Sequence, residues 1–305
     1  VKAGYPRPFT AAVIAAAGST AILIPPSLAF VVYAVLVPGV DLRALFAAGL
    51  VPGLLCGIAV VIPALWLSHR HGFGATETGE PRPPLGATFR RALPGLFAPV
   101  LILGGLRSGL FTPTETAAVA VAYGLLVGCV LYRTMGWREV YRALADAGIT
   151  SAVIMIIISL AGLFAWAGAT LGAFDLAARG LLGLSGEPFV VLLLVMAIVL
   201  VAGMLLDGVS IYLIALPLLI PIAQGFEWNL VWFGVLMAMN IAIGQVTPPV
   251  AVNLMVTSRI AGVGMETTFR WVGWILLAMT LTLLLVLVAP ETALWLPRAL
   301  GYHVG

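Results

Sequence analysis

Asp207 lies in the stretch GMLLDGVSIYL, with apolar residues for more than a helical turn on each side. An ionisable group set that deep in apolar sequence is costly and marks a functional site by default. With Gly203, Gly208 and Ser210 it offers oxygens and bare backbone to an ion or a substrate. Two readings compete: the tip of a re-entrant hairpin dipping into a membrane, or a short outer loop between two separate helices. Gly244 and Thr247 precede the pair Pro248 and Pro249; Gly18, Ser19, Thr20, Ala21 and Ile24 precede Pro25 and Pro26. An alkali cation such as sodium needs several oxygens at once and no base chemistry, so hydroxyls and freed carbonyls at such breaks suffice. The chemistry implied is coordination, not bond making.

A third polar interruption, GGLRSGLFTPTETAAVAV, gathers Arg107, Ser108, Thr112, Thr114 and Glu115. Thr112-Pro113-Thr114-Glu115 has the spacing of a capping box with proline in the first turn, and a direct role at a site is the other reading. Arg107 either fixes an anionic substrate or pairs with Glu115. Enzyme chemistry is not indicated: no catalytic set is seen, and His69, His71 and His303 stand apart with no carboxylates at metal-ligand spacing. No phosphate-cradling GxxxxGK[ST] is present. Neither a cofactor nor a metal other than sodium is expected. Cys56 and Cys129 sit in apolar stretches as small hydrophobes.

The elements that must position these residues follow from composition. Of the 305 residues, 62% are hydrophobic and 9% charged, against about 25% charged in soluble domains. Too little polar surface exists to face water, so the chain is an all-α polytopic membrane protein. The net charge of +3 comes from scattered Lys and Arg, which excludes a nucleic-acid partner. A span needs about 20 apolar residues, and such material lies at 9–36, 44–66, 94–131, 149–172, 188–223, 230–258 and 271–290. Three are ordinary spans (44–66, 149–172 and 271–290). The other four are too long or are interrupted, which lipid tolerates only where protein or a watery cavity satisfies the freed backbone. With the N-terminus inside, eleven of the 15 basic residues fall on one side, as the positive-inside rule asks. Residues 137–148 read as an amphipathic helix on the inner surface or as a polar turn. Trp66, Trp137, Trp228, Trp271 and Trp295 near span ends read as interfacial anchors.

Two stretches repeat: GYPRPFTAAVIAAAGSTAILIPPSLAF from Gly4 and GFEWNLVWFGVLMAMNIAIGQVTPPVAVNL from Gly225. Superposing the proline pairs puts Ala21 on Gly244 and Ile24 on Thr247. On the orientation above the copies run in opposite directions. Inverted broken helices meeting near the midplane are the architecture of secondary transporters; two ordinary proline-kinked helices are the alternative.

IPPSLAFVVYAVL, GLFTPTETAAVAVAYGLLVG, GMLLDG with ALPLLIPIA, FGVLMAMNIAIGQVTPPVAVNLMV and APETALWLP together resemble the large membrane subunit of TRAP transporters, in family order from end to end. The resemblance implies a sodium-driven importer of an organic acid in the bacterial inner membrane. It also implies a small membrane subunit and a soluble periplasmic binding protein as partners, and an elevator-like movement of a domain built from hairpins and broken helices. Ion sites would map onto Ala21, Ile24 and Pro26, and onto Asp207, Gly244, Thr247 and Pro249. The segments are then 1–36 and 226–259 as broken helices, 37–93 as helix and linker, 94–136 as the interrupted pair, 137–187 as arm and span, 188–225 as re-entrant hairpin, and 260–305 as last span and periplasmic tail. The chain starts at Val1 without Met, so it is expected to lack the family's first hairpin, whose Ser-rich tip completes one sodium site. Ala21 stands where the family often has Gly, and Arg107 where it usually has an uncharged residue. An ion channel or a non-transporting scaffold is the competing class, and it would act without a binding protein.

Overall fold

The computed structural model describes residues 4–74, 84–108 and 111–304. They form α1 (Arg7–Thr20), α2 (Leu28–Leu36), α3 (Leu42–His71), α4 (Leu85–Ser108), α5 (Pro113–Leu125), α6 (Trp137–Thr170), α7 (Ala173–Leu184), α8 (Pro188–Leu205), α9 (Gly208–Gly225), α10 (Leu230–Gly244), α11 (Val252–Ala261), α12 (Phe269–Val288) and α13 (Glu291–Ala299). Among the described residues seven helices are long and apolar enough to cross a membrane. Two compact units are formed, one by Val1–Thr78 with Phe164–Gly305 and the other by Gly79–Leu163.

The first unit is built around the two repeats. With Pro25 laid on Pro248, the break after α1 coincides with the break after α10, and both proline pairs have a cis peptide bond. The helices on either side begin and end at local signals. Asn229 caps α10 by accepting from the amides of Val231 (3.1 Å) and Trp232 (3.0 Å), as an N-cap should. The two broken helices lie antiparallel, α1 packing along α11 and α2 against α10. Arg7 at the start of α1 approaches Gly262, just past the end of α11. At the other end the Tyr33 hydroxyl of α2 donates to the carbonyl of Leu230, the first residue of α10, at 2.8 Å. The inversion read from the sequence is thus present in the packing.

Small residues let these backbones approach, which is how helices pack in lipid where the hydrophobic effect gives no drive. A Cβ on Gly234 would sit 2.7 Å from the Tyr33 ring, and one on Gly49 of α3 would sit 2.8 Å from the carbonyl oxygen of Leu23. α3 packs on α12 and α13, and a buried cluster of Phe9, Ala12, Ala15, Val246, Ala251, Leu254 and Trp271 joins α1 to the second break and to α12.

In the second unit α4 packs against α5, and the Tyr123 hydroxyl donates to the Pro94 carbonyl at 2.8 Å. α5 runs into a π-helical turn over Leu126–Leu131.

Several boundaries differ from the sequence reading. α4 begins at Leu85, nine residues before the expected 94, and carries Pro94 and Pro99 inside it. Residues 137–148 are the first turns of one continuous 34-residue helix, not a separate arm. Gly148 costs a helix only about 1 kcal/mol and no proline follows it, so nothing local ends the run. After the last span, α12, the chain forms α13, which packs on α3 with Ala293, Leu294 and Pro297 buried; Arg298 pairs with Glu291, and Asn229 donates to the Val304 carbonyl. α7 and α13, of 12 and 9 residues, fall below the length that a span-based reading detects.

Candidate functional site

The site residues of the first unit sit where three helix ends are exposed by the fold: the breaks after α1 and α10 and the turn between α8 and α9. At the first break the chain leaves α1 in successive tight turns. The amides of Ala21, Ile22, Leu23 and Ile24 each donate three residues back, to Gly18, Ser19, Thr20 and Ala21, at 3.0–3.3 Å. Ser19 and Thr20 are buried, and their hydroxyls donate to the carbonyls of Ala16 and Ala17, both at 2.8 Å. Gly18, Ala21, Ile24 and Pro26 are exposed and Pro25 is buried.

The second break winds the same way. The amide of Val246 donates to Ile243 at 3.2 Å and that of Thr247 to Gly244 at 3.0 Å, while the Thr247 hydroxyl donates to Ile243 at 2.7 Å. Each hydroxyl parks its proton on a carbonyl of its own helix. Its lone pairs therefore remain as acceptors, the arrangement an oxygen ligand for a cation requires. Pro248 is half-buried and Pro249 exposed.

The repeat extends to the bond that closes each break. At the second, the Asn253 amide donates directly to the Gln245 carbonyl at 3.1 Å. The equivalent residues at the first are Phe30 and Ile22. There the Phe30 amide donates to the Ser27 hydroxyl at 3.4 Å, and that hydroxyl donates to the Ile22 carbonyl. One hydroxyl thus stands in for a direct main-chain bond. The second break has a further tie with no counterpart, from the Asn253 amide nitrogen Nδ2 to Gln245 Oε1 at 3.0 Å.

Asp207 is the N-cap of α9. Its Oδ2 accepts from the amides of Val209 (3.0 Å) and Ser210 (3.3 Å), and its Oδ1 accepts from the Ser210 hydroxyl. The carboxylate is exposed at the turn while Gly208 behind it is buried. Its oxygens are thus engaged in shaping the turn. That turn is held against the second break. A Cβ on Gly244 would lie 2.6 Å from the Cα of Gly203, one on Gly208 would meet Ile241 at 3.0 Å and Gln245 Nε2 at 3.8 Å, and the Ala251 amide donates to the Met204 carbonyl at 3.3 Å. α10 has 15 residues, so the break and the turn beside it stand about 22 Å from the loop at its base, short of the ~30 Å of a hydrocarbon core. Deeper in the same interface Asn240, 1% exposed, donates to the Met196 carbonyl of α8.

Gly203, Asp207, Gly208, Gly244, Thr247 and Pro248 are therefore brought together or adjoin one another. Gly18, Ser19, Thr20, Ala21, Ile24, Pro25 and Pro26 form the other break, connected through α1 to the same buried cluster. Thr112 and Glu115 belong to the second unit. There the amide of Thr112 (2.8 Å) and its hydroxyl (2.9 Å) donate to Glu115 Oε2, while the Glu115 amide donates back to the Thr112 hydroxyl at 3.3 Å. This is the capping-box reading, with Thr112 and Glu115 engaged with one another. The side chain of Arg107, and with it both readings of that residue, lies outside what is described. Gln245, Asn253, Ser27 and Asn240 were not anticipated; polar residues flanking the proline pair at QVTPPVAVN were the available signal.

The family model for the tripartite ATP-independent periplasmic transporter, DctM component, matches residues 1–292, which takes in both breaks and the hairpin. The chain belongs to this DctM family. Within it, the chain is 36% identical over 290 residues to the isethionate TRAP transporter permease protein DctMQ of Oleidesulfovibrio alaskensis, covering 94% of this chain and 45% of that one. It is 37% identical over 301 residues to the C4-dicarboxylate TRAP transporter large permease protein DctM of Pseudomonas aeruginosa, covering 99% of this chain and 70% of that one. It is 34% identical over 301 residues to the sialic acid TRAP transporter large permease protein SiaM of Vibrio cholerae, with 98% and 70% covered. The DctM-family chain described here thus spans between about half and 70% of the length of these relatives, which are named as transporter permeases and not as enzymes.

Proposed function

We propose that this DctM-family chain belongs to a sodium-coupled importer of an organic acid, located in the bacterial inner membrane, that receives its substrate from a periplasmic binding protein. The observation that carries the proposal is the inverted pair of breaks, each presenting hydroxyls whose protons are bonded to their own helix, with the hairpin turn seated on the second. Ser19 and Thr20 in one half and Thr247 in the other supply neutral oxygens, and exposed backbone around Gly18, Ala21 and Ile24 supplies carbonyls. Neutral oxygen sets of this kind suit sodium, whose weakly held shell must be shed and recovered in each cycle. The hairpin α8–α9 is read as re-entrant because its turn ends beside a break within bilayer depth. Asp207 holds that turn in shape and stands exposed beside the break as a site carboxylate; the substrate is an organic anion, as the names of the relatives suggest.

The mechanism is read as elevator-type, the broken helices and the hairpin α8–α9 being the parts carried by the moving domain. The lipid bilayer and a small TRAP membrane subunit are the neighbours of the second unit. Among the described residues few side chains of α4, α5 and α6 are buried, and apolar helix faces need a cover.

The test is uptake by proteoliposomes holding the full-length permease and its small subunit, supplied with the cognate binding protein. C4-dicarboxylates, isethionate and sialic acid are offered in turn. Uptake of one of them only under an inward sodium gradient is expected. Uptake indifferent to sodium, or conductance without the binding protein, would overturn the proposal.

A further inference from the structure

Away from the breaks, the last turn of α3 and the first turn of α12 meet around a cavity of ≈ 250 Å³. It is lined by Trp66, Trp271 and Trp274 together with Arg70, His71 and Arg270. The Arg70 guanidinium lies 5.1 Å from the centre of the Trp66 ring, and that of Arg270 lies 4.3 Å from Trp271. Trp66 and Trp274 meet edge to face at 5.2 Å. Stacking on indoles fixes both guanidiniums while leaving their N–H edges free. Among the described residues the ion pairs are Arg43 with Asp41 and Arg298 with Glu291, so none of the described carboxylates pairs with Arg70 or Arg270.

The cavity does not end at the tryptophans. Trp66 and Trp274 are also the upper walls of a second groove of ≈ 270 Å³, which descends between α3 and α12 over Ile62, Pro63, Leu277 and Leu281. This groove is almost wholly apolar. A cationic bowl opening onto an apolar trough at the end of two membrane-spanning helices matches one kind of molecule: an anion carrying a hydrocarbon chain.

We propose that this is a binding site for an anionic phospholipid of the surrounding bilayer. The phosphate sits between Arg70 and Arg270 with His71 beside it, and an acyl chain lies in the groove below. Basic pockets between helices at a membrane face hold such headgroups, and guanidinium forks suit phosphate oxygens. A neutral lipid would fill the trough but leave the arginines unmatched; a soluble phosphate would match the arginines but leave the trough empty. The proposal rests on α3 and α12 spanning the membrane and is independent of what is transported.

The full-length permease, purified in detergent, is titrated by native mass spectrometry with phosphatidylglycerol, with phosphatidylcholine of the same chains, and with glycerol phosphate. Phosphatidylglycerol should be retained in preference to both. The double variant Arg70→Ala/Arg270→Ala should weaken it roughly thirtyfold, taking about 1 kcal/mol for each basic residue. Equal retention of phosphatidylcholine, or full competition by glycerol phosphate, overturns the proposal, as does an unchanged affinity in the variant. Should the variant misfold, the wild type decides: phosphatidylglycerol bearing a photoreactive chain should label peptides containing residues 62–66 or 274–281, and labelling confined to other helices overturns it.

Discussion

Gly203 of α8 and Gly244 of α10 touch main chain to main chain, with a Cβ on Gly244 falling 2.6 Å from Gly203 Cα and one on Gly203 falling 3.2 Å from Gly244 Cα. The contact is asymmetric, and so is its consequence. Gly244→Ala would force the hairpin off the break, because backbone cannot rotate out of the way. Gly203→Ala asks for a shift of a few tenths of an ångström. The expected outcome is near-complete loss of sodium-dependent uptake for Gly244→Ala and partial loss for Gly203→Ala, with similar amounts of folded protein by gel filtration. Wild-type activity in both variants would show that the close approach is not required.

Ser27 carries the relay from Phe30 to Ile22 and is 4% exposed. Ser27→Ala leaves the amide of buried Phe30 and the carbonyl of half-buried Ile22 without this bond, which costs about 1–3 kcal/mol. A drop in the thermal midpoint in detergent is expected, with a loss of sodium protection larger than that of an exposed control such as Ser159→Ala. An unchanged midpoint would remove the relay from the account.

For the direct tie at the second break, Gln245→Ala, Asn253→Ala and the double variant make a cycle. The side-chain bond of 3.0 Å predicts a coupling of about 0.5–1.5 kcal/mol. Additive single effects in unfolding measurements would mean that the bond contributes nothing.

Asp207→Asn keeps an acceptor for the amides of Val209 and Ser210, whereas Asp207→Ala removes the cap at about 1 kcal/mol. Most uptake should survive in the Asn variant and most should be lost in the Ala variant. If both are inactive while folded, the negative charge acts on the ion or substrate, and capping is not its main task.

Glu115→Gln preserves the capping-box spacing with Thr112, since glutamine serves at that position as glutamate does. Uptake and stability near those of the wild type are expected, with Glu115→Ala less stable by about 1 kcal/mol. A Gln variant that is folded but inactive would return Glu115 to the substrate path.

The repeat was legible in the sequence because Pro25-Pro26 and Pro248-Pro249 end helices wherever they occur, so two matching interruptions could be aligned without any contact information. The capping box was legible for the same reason: Thr112 and Glu115 act within one turn. The partnership of Gln245 with Asn253 was not, since residues eight apart meet only after the break turns the chain, and nothing in residue type announces it. Nor was the seating of Gly203 on Gly244, where glycine is needed for space against a distant helix and looks no different from glycine tolerated in any membrane helix. Asp207 was legible in part. Its isolation in apolar sequence pointed to a ligand; that its oxygens also start α9 was a second task the apolar setting did not announce.

The antiparallel nesting of α1 on α11 and α2 on α10 bears on how the protein is made. The first broken helix leaves the ribosome more than two hundred residues ahead of its partner, which at ~5–20 residues per second is a delay on the order of ten seconds or more. Through that interval its turns at residues 21–27 have α3 beside them but neither α10 nor α11. A segment with loosened backbone must therefore be retained by the insertion machinery, or be sheltered by α3, until the second copy arrives. Substitutions at Gly49 or Gly53, where α3 closes over Leu23 and Ile24, would then act first on the yield of inserted protein and only afterwards on its turnover.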